Sequence, residues 1–386
     1  MSGMTSGRLA IATSWFVAPR QNSFTSWQSS CGLVKWCYSA AALAKMPYLD
    51  AEVAILTNNA TRVRTECHAD PPPRIIPYSQ SFMDVVKRWQ RAMHNRTYRR
   101  PVRDGLQNLP FSMATLGKWE AFARTEYRAI LLTDVDMDIF FSTSGQPPAP
   151  GTGAAALLER AWTISYPAFL ASRYQLVAQG DASAPVVTAV QLLKPSAATY
   201  ARGVQTLRTL RWSGKGGFNE TGPPQSLFNL SLLPQHHAKA ITRSGWWRKN
   251  DWHVVTGDGD QGLFTHVLLV QMQAIDFPRR SKNRTWTVNH FHAATKPWKA
   301  HTTCRRYFEF LDLADFHHPP SPCLELLQAK QRCLAPKPSK QTCARCRRER
   351  LATTGCHGVK PKPHGDEPKT TCGSSVWRVF TADGGH

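Results

Sequence analysis

A chain of 386 residues, 42% of them apolar, is large enough for one big domain or two, and wholesale disorder is excluded. Its 48 basic and 26 acidic residues leave a net charge of +22, which directs it towards anionic partners: phosphates, nucleotides, acidic glycans, nucleic acid or an anionic membrane surface. No window supplies the roughly 18 consecutive apolar residues of a membrane span, so no transmembrane segment is predicted.

In chain order, Leu9 to Thr13 reads as a buried strand and Ser26 to Met46 as a helix. Ala51 to Thr57 is a second strand, closed by the turn-prone pair Asn58-Asn59. Ile75 to Pro77 gives a short third strand, and Ser81 to Met93 a basic amphipathic helix. This alternation predicts an α/β fold with a parallel sheet and crossover helices. Leu116 to Thr125 reads as a helix that feeds the segment Tyr127 to Phe140. That segment opens with the apolar run Ala129 to Leu132, suited to a strand covered on both faces.

The run ends in Asp134, Asp136 and Asp138. Extended residues alternate faces, so Asp134 and Asp136 are expected to point the same way at the strand's carboxyl end. Ligands of open α/β sheets sit at that end. Like charges this close call for a counter-charge, and a divalent cation held by oxygens is the natural candidate. A solvated acidic turn is the alternative. An EF-hand loop is excluded, because Ile139 stands where its Gly belongs and Gly145 where its Glu belongs.

Further on, Gln146 to Thr152 reads as a loop, residues 154–180 as mostly helical, and Val186 to Leu193 as a strand. Residues 197–211 read as a helix, and Gly214 to Pro224 as a Gly/Pro-rich loop. Trp246, Trp247 and Trp252 flank a basic stretch and suit either sugar or base stacking or simple partial burial. Residues 316–386 read as a basic, Cys/Lys/Pro-rich tail or a small disulfide-stapled module, separate from a domain over residues 1–315. Cys343, Cys346, Cys356 and His357 offer a zinc alternative to disulfides. Ten cysteines, seven of them beyond residue 300, and five acceptor patterns at Asn59, Asn95, Asn219, Asn229 and Asn283 point to a Golgi or secretory lumen. That location implies a leader missing from this sequence; the other location is the cytoplasm.

Several of these segments, in this order, resemble glycosyltransferase family 8, the glycogenin and galactinol-synthase-like group. Lys118 on a helix precedes Asp134-Val135-Asp136; Asp260-Gln261-Gly262 forms a later turn; His290-Phe291 is followed by Lys296-Pro297-Trp298. The likeness spans roughly residues 8 to 310. It implies a GT-A, Rossmann-like fold with a mixed, mainly parallel central sheet. It also implies a metal-dependent retaining hexosyltransferase, with a UDP-sugar donor and a glycan, protein or polyol acceptor. On that reading Asp134, Asp136 and His290 bind Mn²⁺ or Mg²⁺. Lys118 and Lys296 contact the donor, and Asp260 and Gln261 work at the sugar. The sequence departs from the family where Val187, Thr188 and Ala189 replace its Asn-x-Gly, and where Ala293 replaces a Gly.

Two other classes stay open. A haloacid-dehalogenase-type phosphatase also carries Asp-x-Asp after an apolar strand, with Gly257 to Asp260 as its second acidic turn. A non-catalytic basic protein would bind glycan or nucleic acid through charge. No zinc-finger, RRM or KH pattern supports specific nucleic-acid recognition.

Overall fold

The computed structural model describes residues 7–17, 23–94, 115–140, 147–178, 186–209, 260–277, 285–291 and 374–381; in the last two segments, at 23–31, at Gln90, at 92–94 and at Asp138, only the backbone is described. The fold is mixed α/β. Its main sheet has seven strands: β1 Leu9–Trp15, β2 Ala51–Thr57, β3 Arg74–Pro77, β4 Ala129–Thr133, β6 Leu176–Ala178, β7 Val190–Leu193 and β8 Ile275–Asp276, in the order β3-β2-β1-β4-β7-β6-β8. β1, β2, β3 and β4 are mutually parallel, β7 runs against both β4 and β6, and β8 is parallel to β6. The mixed, mainly parallel sheet implied by the resemblance is therefore present.

The apolar runs explain why this sheet is covered on both sides. Along β1, Leu9 and Ile11 pack into one cluster with Val53, Ile55, Ala129 and Leu131. Ala10 and Ala12 point the other way, into a cluster with Ala54, Leu56, Ile130 and Leu132. One residue of register separates the two sets, as the two-residue period of a strand demands. The first cluster is closed by Leu33, Trp36 and Ala40 of helix α1 (Ser23–Ala44). Phe82, Val85, Val86 and Trp89 of helix α3 (Gln80–His94) help close the second. A short helix α2 (Ala60–Glu66), absent from the sequence reading, is capped by Asn59, whose Oδ1 accepts from the Arg62 amide at 3.0 Å. A disulfide joins Cys37 in α1 to Cys67 at the end of α2.

Several elements differ from the sequence reading. Within the helix expected over Leu116 to Thr125, Gly117–Ala123 is of the 3₁₀ type. Residues 154–180 hold two short helices, α4 (Gly153–Arg160) and α5 (Tyr166–Ala171), bridged by a π-helical turn, and then β6. Of the strand expected from Val186, only Val190–Leu193 pairs, and it runs antiparallel to β4. Asp260 opens a helix, α7 (Asp260–Phe264), rather than lying in a turn. The loop at 214–224, the tryptophans Trp246, Trp247 and Trp252, the boundary near 315 and the cysteines of residues 330–369 lie outside the described residues.

A second, three-stranded sheet has the order β10-β9-β5, from β5 Met137–Asp138, β9 Thr285–Phe291 and β10 Ser374–Thr381. All its pairings are antiparallel. Residues 374–381 thus pair into the sheet that follows the acidic segment.

Helix α6 (Ala197–Thr209) lies against the 3₁₀ helix through Gly203, and this contact has no spare room. A Cβ at Gly203 would stand 2.0 Å from the Trp119 ring. Trp119 is itself fully buried, donates from Nε1 to the Tyr200 carbonyl at 3.1 Å, and meets Phe122 and Phe264 at 4.8 Å between centroids. Gly203→Ala should lower unfolding stability by about 2–3 kcal/mol through overpacking, read as the midpoint shift in urea at constant m-value. An unchanged midpoint would mean that Trp119 is free to move.

A π-helical segment, Thr265–Gln271, continues α7. It buries His266, and burial pushes that imidazole down from 6.5 to about 4. The fold therefore favours neutral His266. Its contribution is complete above pH 6.5 and is lost as pH falls towards 4, by at most about 3 kcal/mol. Denaturation series from pH 7.5 to 4 should show this loss in the parent chain and a flatter curve in His266→Gln. Parallel curves would contradict it.

Candidate functional site

The site begins where β4 stops. Asp134, Val135 and Asp136 form a turn rather than an extended continuation, and the Met137 amide donates to the Asp134 carbonyl at 3.1 Å. The alternation expected for Asp134 and Asp136 therefore does not apply. The Asp134 side chain is 28% exposed, whereas Asp136 is buried at 3%. The turn is held from two sides. Trp36 of α1 donates from Nε1 to Thr133 Oγ1 at 2.6 Å, fixing the residue before Asp134. The Asp134 amide donates to the Ala189 carbonyl at 2.8 Å. Because β7 is antiparallel to β4, with Thr133 opposite Val190, the residues just before β7 arrive beside the end of β4.

Lys118 connects these parts. Its side chain is 7% exposed, and Nζ lies 2.6 Å from Asp134 Oδ1 and 2.9 Å from Asp260 Oδ2. Nζ also donates to the Thr188 carbonyl at 3.2 Å. The Thr188 hydroxyl donates to Asp260 Oδ2. Burial works against the Lys118 ammonium, but the charges of Asp134 and Asp260 and hydrogen bonds to both outweigh it and hold Lys118 well above its ordinary value. The counter-charge that the sequence reading assigned to a cation is, at Asp134, supplied by this lysine.

Local packing aims Lys118. Gly117, the residue before it, lies so close to Tyr78 that a Cβ there would meet the ring at 2.9 Å. Glu120, fully buried, accepts from Arg124 and from the Tyr200 hydroxyl, each at 2.8 Å. These contacts fix the 3₁₀ helix from β3 on one side and α6 on the other.

The structure thus brings together Lys118, Asp134 and Asp260, with Gln261 next to Asp260 and half-buried on α7. It brings the backbone of His290 close as well, since His290 pairs with Met137, one residue past Asp136. Lys296, Pro297 and Trp298 lie outside the described residues, as do Gly257 to Gly259. Among the described residues no group of three or more His, Cys, Asp or Glu side chains is placed to hold a metal ion. The donor set still fits a divalent cation on its chemistry. A carboxylate accepts on two oxygens, so Asp134 can serve Lys118 and a cation together. Two carboxylates, Asp134 and Asp260, also share the single ammonium of Lys118. Sequence reasoning missed Thr188, which is the unspecified middle position of the departed Asn-x-Gly, and Trp36, for which the sequence carries no signal.

No family model matches this chain, and no curated protein matches it by sequence. Among solved structures it is similar to the galactosyltransferase LgtC, solved in complex with donor and acceptor sugar analogs. That pair is 9% identical over 82% of this chain and 99% of the other, with a TM-score of 0.38. It is also similar to mouse xyloside xylosyltransferase 1 in its apo form, at 11% identity over 70% of this chain and 84% of that one, with a TM-score of 0.30. At such TM-scores neither likeness carries an activity over to this chain.

Lys118→Met should cost about 3–5 kcal/mol in urea unfolding, because it strands two carboxylates without their partner. Adding Asp260→Asn should then cost less than the two single losses combined. A Lys118→Met chain as stable as the parent would contradict the ion pairs.

Proposed function

We propose that this chain is a metal-dependent retaining glycosyltransferase of the GT-A type, moving a hexosyl group from a UDP-sugar to a glycan, protein or polyol acceptor. The observation that carries this reading is the junction of the Asp134-Val135-Asp136 turn, at the carboxyl end of a central parallel strand, with Asp260 through the buried Lys118. The strand order, in which only β7 runs against its neighbours, supports it. So does the pairing of β5 with β9, which brings the His290 backbone beside the acidic turn.

In this reading Asp134, Asp136 and His290 hold Mn²⁺ (or Mg²⁺), and Lys296 adds an ammonium for the phosphates. Two carboxylates and an imidazole suit Mn²⁺ better than Mg²⁺. When bound, the ion supplies Lewis-acid stabilisation of the departing diphosphate. Lys118 keeps Asp134 and Asp260 in fixed relation, so that the phosphate end and the sugar end of the donor are held in register. Asp260 accepts hydrogen bonds from sugar hydroxyls, with Gln261 beside it. Its Oδ2 already accepts from Lys118 and Thr188, which draws electron density away from it and makes it a poor nucleophile. The acceptor therefore attacks from the face the diphosphate leaves, and the diphosphate takes the acceptor's proton. A Golgi or secretory location is supported by the Cys37–Cys67 disulfide, since such bonds persist in oxidising compartments.

The test is a donor screen. Purified chain is mixed with UDP-glucose, UDP-galactose, UDP-xylose or UDP-N-acetylglucosamine, with Mn²⁺ present or chelated, and released UDP is measured. One donor should give metal-dependent release, and Asp136→Asn should reduce it by about 10²-fold or more. Release from no donor, or release unaffected by chelation and by Asp136→Asn, would overturn the reading.

A further inference from the structure

The middle residue of the segment that departs from the resembled family, Val187-Thr188-Ala189, is built into the charged network. Thr188 is buried at 2% and carries two different contacts. Its carbonyl accepts from Lys118 Nζ at 3.2 Å, and its hydroxyl donates to Asp260 Oδ2. Lys118 Nζ is also 3.5 Å from the Thr188 hydroxyl oxygen. A hydroxyl has one proton to give. Given to Asp260, it is not available to a sugar. Thr188 is therefore turned into the protein and acts on Asp260, itself buried at 2%.

We propose that Thr188 is a positioning residue for glycosyl transfer: its hydroxyl, together with Lys118, locks the Asp260 carboxylate in one orientation. The inference rests on the transferase reading above. Two donors on Oδ2 fix the rotation of the carboxylate. They leave Oδ1 as the oxygen that neither Lys118 nor Thr188 engages, and on the transferase reading this is the one offered to the sugar. The neighbours Val187 and Ala189 are buried and apolar and offer no replacement donor from their side chains. The Ala189 carbonyl is occupied by the Asp134 amide at 2.8 Å. One short segment thus sets both ends of the site: residue 189 holds the backbone of Asp134, and residue 188 holds the carboxylate of Asp260.

Thr188→Val keeps the shape and removes the hydroxyl, whereas Thr188→Ser keeps the hydroxyl and removes a methyl. The two variants separate positioning from packing. With Mn²⁺ and whichever UDP-sugar the parent turns over, Thr188→Val should lower kcat by about 10- to 100-fold. KM and the calorimetric affinity for UDP with Mn²⁺ should stay within about 2-fold, because the hydroxyl acts only on the sugar side. Thr188→Ser should recover kcat to within about 3-fold of the parent. On an Asp260→Asn background, Thr188→Val should add less than about 3-fold, since it acts through Asp260.

An active parent whose Thr188→Val variant keeps the parent's kcat overturns this inference and leaves the transferase reading intact. The inference also fails if Thr188→Ser is as slow as Thr188→Val, or if Thr188→Val loses its melting transition and UDP binding together with turnover. Either result makes the residue a packing group. A parent that releases UDP from no donor overturns the transferase reading and this inference with it.

Discussion

The architecture around the end of β4 depends on one buried ammonium. Taking Lys118 out of water is opposed by several kcal/mol of desolvation. It is tolerated because Asp134, Asp260 and the Thr188 carbonyl converge on Nζ. These three partners come from the end of β4, the start of α7 and the approach to β7, so the ion pairs tie together elements that share no local sequence. The 3₁₀ helix can deliver Lys118 only because Gly117 and Gly203 let Tyr78 and Trp119 come close. Small residues thus decide where a charge can stand. Without the lysine, Asp134 and Asp260 would face each other's charge in a poorly hydrated space, and the turn would lose its tie to the second half of the sheet.

Much of the fold was legible in the sequence because its strands are short apolar runs with clear stops. β1, β2 and β4 fall within two residues of their expected bounds. The reading was weaker where side-chain pattern carries no sign of hydrogen-bond type or strand direction. That is why neither the 3₁₀ type of residues 117–123 nor the reversed direction of β7 was foreseen. Helix α2 was missed because its seven residues include few apolar ones, its buried residue being Val63 alone.

The site was legible as a set of residue types and not as a network. Asp134, Asp260 and Lys118 were each singled out, but their mutual contact is a tertiary fact spanning distant segments. The strand alternation assumed for the acidic residues failed because β4 ends at Thr133, where the Asp134 amide turns to Ala189. Thr188 stands at the unspecified middle of a family pattern whose losses fall on Val187 and Ala189, so the match gave it no role. Its hydroxyl and carbonyl gain a role only once β7 is known to run antiparallel to β4 and to carry residue 188 to the end of that strand.

The small sheet has a kinetic side. Thr188 and Asp260 are 72 residues apart, and Trp36 and Thr133 are 97 apart; β5 waits for β9, and β9 pairs in turn with β10. Contacts of such long range close late, because closing them costs chain entropy that grows with separation. During synthesis the central strands β1, β2 and β4 are available early, while the turn after β4 stays open until the distal strands emerge. A nascent chain thus passes through a stage with a formed sheet centre, an unfinished acidic turn and an uncovered strand edge. That is the stage at which it is most exposed to association with other chains and most in need of a chaperone.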